Sequence, residues 1–222
     1  MANKIAVTGT GRSGTNFFAA ILTELGKDVK HEAMGRDGIT SWCILPNVKD
    51  AVYGPGGSAI TKDFVIGHQT RNPLKTIGSL TTFNKSSWKF IDEHSQELPR
   101  KIMHRAMVHW LDWNQRASKM SSFTWKLEDL ENKQPEIIKS LGWEVSEDEW
   151  REAYKSAKHG ANTGSSRASS ALFNPKVGPI TQWRRFVYNN RKHPVTWDEL
   201  SKIDPVLTKE IQNFSQQLGY KI

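Results

Sequence analysis

The residues best suited to bind an anion lie in a glycine-rich segment near the N-terminus. The segment "VTGTGRSGTNFF", residues 7 to 18, places Gly9, Gly11 and Gly14 between an apolar run and residues with helical spacing. A turn of this kind between a strand and a helix presents backbone N–H groups and the positive end of the helix to an anion. The segment therefore predicts a phosphate or sulfate site, and a tight turn that serves packing alone is the alternative.

The three glycines also satisfy the G-x-G-x-x-G pattern of dinucleotide-binding folds, with Glu32 about twenty residues further on. The segment "YKSAK" supplies Tyr154 and Lys158, the Tyr-x-x-x-Lys pair of short-chain dehydrogenases. However, the loop of that family, T-G-x-x-x-G-x-G, needs glycine where Ser13 and Thr15 stand. Pairs four residues apart are also common on solvated helix faces. We therefore do not expect a dinucleotide site.

A nucleoside triphosphate loop, G-x-x-x-x-G-K-[ST], requires a lysine directly after its last glycine and then a hydroxyl residue for Mg²⁺. In this chain Gly14 is followed by Thr15 and Asn16. The segment keeps the shape of such a loop without the groups that hold the metal and the γ-phosphate. This combination favours a phosphosulfate donor over a triphosphate.

The stretch "GRSGTNF", residues 11 to 17, resembles the 5′-phosphosulfate loop of sulfotransferases that use 3′-phosphoadenosine 5′-phosphosulfate (PAPS), with its core Arg/Lys-Ser-Gly-Thr-Thr/Asn. In that family the cation balances charge on the bridging oxygen as the sulfuryl group leaves, which implies this role for Arg12. Phe17 occupies the position of an aromatic residue that stacks on adenine, and packing in the helix core is its alternative. The resemblance implies a donor loop made of Arg12, Ser13, Gly14, Thr15, Asn16 and Phe17.

A second stretch, "TRNPLKTIGSL" at residues 70 to 80, resembles the family's 3′-phosphate element, Arg-Asn/Asp-Pro followed by Ser. A guanidinium fork and a hydroxyl suit a phosphate dianion, so the resemblance implies that Arg71 and Ser79 hold it. An ordinary strand–turn–helix with Asn72 as the capping residue is the alternative. Paired with the glycine-rich loop, the phosphate site is the better interpretation.

A third stretch, "KVGPITQW" at residues 176 to 183, resembles the late basic segment that covers the 3′-phosphate in this family. Lys176, Gly178 and Trp183 keep its spacing, whereas Val177 and Thr181 replace a lysine and a glycine. The resemblance implies phosphate contacts from Lys176 and Gly178. Candidates to compensate for the departures are Arg167, Arg184 and Arg185.

Transfer to a hydroxyl or amine also needs a base for the acceptor proton. The family's Lys-Thr-His segment has no counterpart in "VKDAVYGPGG", which contains no histidine. Tyrosylprotein and many carbohydrate sulfotransferases use a glutamate at the place of Glu32, so the resemblance implies that Glu32 is the base. His31 is the second candidate, because neighbours on a strand point to opposite faces. A salt-bridged or capped strand end is the alternative for either residue.

The chain has 222 residues, of which 37% are hydrophobic, and this predicts one domain, residues 1–222, with a packed core. Apolar runs alternate with helical patterns, which predicts an α/β fold. We expect a three-layer sandwich with a central parallel sheet and helices on both faces, similar to P-loop nucleotide kinases. Two segments are expected to be loops: residues 33–62, and the Ser- and Gly-rich residues 159–182, which we expect to be mobile. Trp42, Tyr53 and the segment around Trp88 are expected to line an acceptor site, and core packing is the alternative for each of them.

A formal net charge of +8 favours an acidic ligand. Cys43 is the only cysteine, and H-E-x-x-H is absent, so no metal is implied. The N-terminus lacks a signal-peptide pattern and no apolar run approaches the roughly 18 residues of a membrane span. We therefore expect a cytoplasmic protein with no membrane partner, which fits a bacterial or virus-encoded enzyme.

The combined interpretation is a PAPS-dependent sulfotransferase that releases 3′-phosphoadenosine 5′-phosphate (PAP). Its acceptor, a small molecule or carbohydrate, is not specified by any motif. Two alternatives stay open: a P-loop-type nucleotide-dependent kinase, which the missing loop lysine disfavours, and a non-catalytic module that binds anions or nucleic acid. Nucleic acid is the less expected partner, and binding to it would weaken steeply with salt.

Overall fold

The computed structural model describes residues 4–95, 97–171 and 194–222. Contacts divide the chain into two compact units. The first comprises Met1–Arg71 and Asn114–Ser166, and the second comprises Asn72–Trp113 and Arg167–Ile222.

The first unit contains a five-stranded sheet in which every pairing is parallel. Its order is β2-β3-β1-β6-β7, and its strands are β1 (Lys4–Thr8), β2 (Val29–His31), β3 (Gly38–Thr40), β6 (Phe64–Thr70) and β7 (Phe123–Lys126). The short strands β4 (Asp50–Ala51) and β5 (Gly54–Pro55) form a separate antiparallel pair. This architecture confirms the predicted α/β class and the parallel central sheet.

Helices flank this sheet, and the alternation of side chains along β1 explains how both of its faces are covered. Ile5 and Val7 belong to a core with Phe18 of α1 (Thr15–Glu24), while Ala6 packs with Ile39 in a second cluster. Successive strand residues point to opposite faces, so a continuous apolar run is the pattern of a strand buried on both sides. The other helices that begin in this unit are α5 (Glu136–Ser140) and α6 (Glu147–Ala171).

The second unit is helical within the described ranges. It contains α2 (Pro73–Leu80), α3 (Lys85–His94), α7 (Trp197–Ser201) and α8 (Pro205–Gln217), and α4 (Ile102–Met120) begins in it. Asn72 and Asp204 cap helices α2 and α8, and Thr196 forms a complete capping box with Glu199. None of the helices in the described ranges has the length and apolarity needed to cross a membrane.

Two predicted loops are wrong in part. Residues 38–40, inside the expected loop 33–62, form β3 and lie in the sheet between β1 and β2. A strand of three residues obtains its hydrogen bonds from partners distant in sequence, so local composition does not reveal it. Likewise, residues 159–171 of the expected loop 159–182 continue α6. Extending a helix that is already formed costs little, even through weak helix formers. Residues 172–182 lie outside the described residues.

Candidate active site

The glycine-rich loop connects the central strand β1 to helix α1. Ser13 N donates to the carbonyl of Thr10 over 3.2 Å, and the helix begins at Thr15. Arg12 and Gly14, on either side of Ser13, both have left-handed backbone, with φ of 68° and 94°. Left-handed residues within a turn make backbone N–H groups converge, and the first turn of a helix has N–H groups without intrahelical carbonyls. The loop therefore has the backbone geometry of a concavity that could bind an anion.

The glycine-rich loop follows β1, the strand from which the chain continues first to one side of the sheet and then to the other. From β1 the chain passes to β2 and β3 on one side and then to β6 on the other. Ligands in open parallel sheets bind outside the carboxyl ends of the strands at such a switch point. The concavity thus lies where this architecture places ligand sites.

Three hydroxyl side chains at this position are buried. Thr8, Thr10 and Ser13 are each at most 1% exposed, and within the described part of the chain their side-chain oxygens have no hydrogen-bond partner. Ser13 Oγ lies inside the loop, 3.1 Å from where a Cβ on Gly9 would stand. A buried hydroxyl without a partner costs free energy, and an anion oxygen would accept its hydrogen bond. These residues therefore fit a phosphate or sulfate ligand.

Two side chains from the carboxyl end of β6 hold the loop from outside. Gln69 Nε2 donates to the carbonyl of Ser13 over 2.9 Å, and Arg71 Nη1 donates to the carbonyl of Arg12 over 3.1 Å. Gln69 Oε1 in turn accepts a hydrogen bond from Trp125 Nε1 of β7 over 3.3 Å. The structure thus places Arg71 against the glycine-rich loop.

Glu32 follows β2 directly and has an unusual backbone. Its φ is 56°, its N–H donates to Thr40 O over 3.0 Å, and its Oε1 accepts a hydrogen bond from Trp42 Nε1 over 3.2 Å. Burial raises the pKa of the Glu32 carboxyl, whereas the Trp42 hydrogen bond and the charge of Arg12 oppose that rise. Glu32 is therefore a half-buried carboxyl group within electrostatic reach of the loop cation.

His31 lies beside both the loop and Glu32. Its Nε2 is 3.3 Å from Thr15 Oγ1, and its Nδ1 is 3.8 Å from Glu32 Oε2. Burial lowers the pKa of His31 and so disfavours its charged form, and the 3.8 Å separation from Glu32 is longer than a hydrogen bond. Alternation predicted that only one of the two neighbours could face the loop. The left-handed backbone of Glu32 ends the strand geometry, so the alternation does not extend to its side chain.

The remaining predicted site residues are distributed as follows. Asn16 is exposed in the first turn of α1, and Phe17 packs edge-on against Tyr154 with ring centroids 5.3 Å apart. Ser79 lies near the end of α2 in the second unit. Lys176 and Gly178 lie outside the described residues.

The Tyr154–Lys158 pair serves a structural contact, because both side chains bond to Glu131.

Sequence reasoning missed Gln69. Its side-chain amide lies between the loop and β7, and its position near the carboxyl end of β6, two residues before Arg71, is the signal that could have revealed it. Within the described ranges no group of three or more His, Cys, Asp or Glu side chains could hold a metal ion.

No protein-family model matches this chain, and no curated protein is significantly similar to it.

Proposed function

We propose that the chain is a sulfotransferase that moves the sulfuryl group of PAPS to a hydroxyl or amine acceptor. The glycine-rich loop would bind the 5′-phosphosulfate through Ser13, Thr15 and the backbone N–H groups of residues 14–16. Arg71 is the proposed contact to the 3′-phosphate, and the resemblance of the sequence motifs adds Ser79, Lys176 and Gly178. A P-loop-like fold of the nucleotide-kinase type is part of this proposal.

The observation that carries the proposal is the backbone strain at two residues. Among the described residues other than glycine, only Arg12 and Glu32 have left-handed backbone. Such conformations cost about 1–3 kcal/mol each and persist where the surrounding structure enforces them, often at functional sites. The two strained positions are those that the resemblance implies for the cation and the base. Their charges also interact: burial raises the pKa of Glu32, and the charge of Arg12 opposes part of that rise.

In the proposed reaction Glu32 acts on the acceptor and Arg12 acts on the leaving group. The Glu32 carboxylate takes the proton of the acceptor hydroxyl or amine while the acceptor atom forms a bond to sulfur. The bond from sulfur to the bridging phosphate oxygen breaks, and PAP leaves with the electron pair. Arg12 balances the negative charge that develops on that oxygen. A carboxylate whose pKa is raised by burial is a stronger base than an exposed one.

The first test compares ligands by thermal unfolding: PAP, ADP, Mg·ATP and NADPH. A ligand at about a hundred times its Kd adds about 2.7 kcal/mol to the free energy of unfolding. We expect PAP to stabilise the protein well above ADP. Equal stabilisation by ADP would contradict the 3′-phosphate site, and stabilisation by Mg·ATP alone would favour the kinase.

The second test measures transfer directly. The protein is incubated with PAPS labelled in sulfur and a panel of phenols, sugars and amines, and labelled products are separated from the donor. Arg12→Ala and Glu32→Gln are the matched controls, because each removes one proposed role. Label transfer by the wild type that both variants lose would support the proposal, whereas equal transfer by all three proteins would overturn these roles.

A further inference from the structure

Gln69 is a fully buried polar residue that the proposed reaction does not use. It is 0% exposed, and both ends of its amide are engaged: Nε2 with the Ser13 carbonyl at 2.9 Å and Oε1 with Trp125 Nε1 at 3.3 Å. A buried amide with both groups satisfied has one preferred orientation, because rotation would place donor against donor. Gln69 therefore forms a rigid link from β7 through β6 to the loop.

This link controls the direction of one loop amide. The peptide unit is planar and trans, so the N–H of Gly14 points opposite to the carbonyl of Ser13. By holding that carbonyl toward β6, Gln69 turns the Gly14 N–H away from the strand. We infer that Gln69 is a positioning residue that fixes the Gly14 N–H as a donor to the sulfate or 5′-phosphate group of the ligand.

Close packing supports this inference. A Cβ on Gly9 would stand 2.3 Å from the carbonyl oxygen of Gln69, and one on Gly14 would stand 3.1 Å from Gln69 Nε2. Both glycines thus let the loop approach Gln69 closely enough for the hydrogen bond. The left-handed φ of 94° at Gly14 belongs to the same arrangement.

The class of ligand in this inference rests on the proposed function. The inference nevertheless predicts an effect that differs from the loss of a contact to the 3′-phosphate. Gln69 acts on the loop that holds the 5′ end of the donor, so its loss weakens by the same factor the binding of every ligand whose phosphate groups occupy that loop. Loss of a contact to the 3′-phosphate instead lowers the preference for PAP over ADP. The ratio of the two affinities distinguishes these effects.

The experiment measures Kd for PAP, ADP and pyrophosphate by calorimetry with Gln69→Met, which keeps the side-chain length without the amide. We expect each Kd to rise about tenfold, with the PAP to ADP ratio unchanged. Trp150→Phe is the matched control, because Trp150 Nε1 donates to the buried carbonyl of Leu130 at 2.7 Å and not to a loop carbonyl. Trp150→Phe should lose stability without losing affinity for these ligands.

In NMR spectra of ¹⁵N-glycine-labelled protein, the Gly14 amide signal should shift with ligand in the wild type and lose that response in Gln69→Met.

Each outcome bears on the inference. Unchanged affinities in Gln69→Met, or equal losses in Trp150→Phe, overturn it. If the wild type binds PAP and ADP equally, the proposed donor fails while the ADP and pyrophosphate affinities still test Gln69. If the wild type binds none of the three, the inference falls with the donor site. Should Gln69→Met not fold, Trp125→Phe takes its place, because it removes the hydrogen bond that Trp125 Nε1 donates to Gln69. The Gln69 amide is then less firmly oriented, and each Kd should rise about threefold. Affinities equal to those of the wild type in Trp125→Phe would overturn the inference.

Discussion

The indole Nε1 of Trp42 donates a hydrogen bond to Oε1 of Glu32 over 3.2 Å, with Trp42 only 4% exposed. The bond joins a buried side chain of the segment after β3 to a carboxyl group at the end of β2. It stabilises the charged form of a carboxyl whose pKa is raised by burial. The Trp42 hydrogen bond therefore orients the carboxyl group of Glu32, the proposed base, and also favours its ionised form.

Trp42→Phe should move the acidic limb of the kcat/KM profile to higher pH. The base must be ionised, so activity rises with pH through the pKa of Glu32. Loss of the indole N–H removes an interaction that lowers this pKa, and the pKa rises further. The measurement is a pH profile of sulfuryl transfer for the two proteins. An unshifted limb would mean that a group other than Glu32 controls it.

Glu32→Gln and His31→Gln should separate the two candidate bases. Removal of a general base costs about 10²–10⁴ in rate, so we expect that loss of kcat for Glu32→Gln. His31→Gln keeps a group able to hydrogen-bond Thr15 Oγ1 and should retain most of kcat. The reverse pattern would assign the proton to His31.

Arg12→Ala and Arg71→Ala should affect different kinetic constants. Removal of Arg12 takes away the charge that balances the leaving oxygen and should lower kcat by about 10²–10³. Removal of Arg71 should mainly raise the KM for PAPS, with a smaller effect on kcat through the lost bond to the Arg12 carbonyl. Arg12→Lys keeps the charge and is the matched control. Equal losses of kcat in both alanine variants, with donor binding unchanged, would contradict these roles.

Gly14→Ala should destabilise the first unit by more than the backbone conformation alone requires. A left-handed residue with a Cβ costs about 1–2 kcal/mol, and here the added Cβ would also stand 2.8 Å from a methyl carbon of Leu127. Gly26→Ala is the matched control, because Gly26 is also left-handed with no neighbouring atom within 4 Å of the added Cβ. Denaturant unfolding should show the larger loss for Gly14→Ala. Leu127→Ala in that background should recover part of it if contact is the cause.

Asp204→Ala should destabilise helix α8 by about 1 kcal/mol, since Asp204 Oδ1 accepts from Leu207 N and Oδ2 contacts His104 Nε2. The bond from Leu207 N chiefly lowers the pKa of Asp204, with a smaller effect from His104. The stabilisation is thus present above the ordinary pKa of 3.8 and is lost as pH falls through the lower folded pKa. Asp204→Asn keeps the cap without the charge. Its unfolding free energy should depend less on pH in acid than that of the wild type, and an identical dependence would contradict this assignment.

Local patterns predicted most of the elements that position the loop. The apolar run before Gly9 and the helical spacing after Gly14 correspond to β1 and α1, and Asn72, considered as a capping residue, caps α2. These features depend on neighbours within about four residues, so the sequence displays them directly.

The sequence by itself determined the class of fold and predicted the segments that we propose to bind an anion, because periodicity and glycine spacing are local properties of the chain. Tertiary structure decided how those segments are held. It inserted β3 between β1 and β2, gave Glu32 a left-handed backbone next to the hydrogen bond from Trp42, and set Gln69 between the loop and Trp125. Each of these contacts joins residues that are distant in sequence, and such a pairing becomes specific only when the strands have assembled.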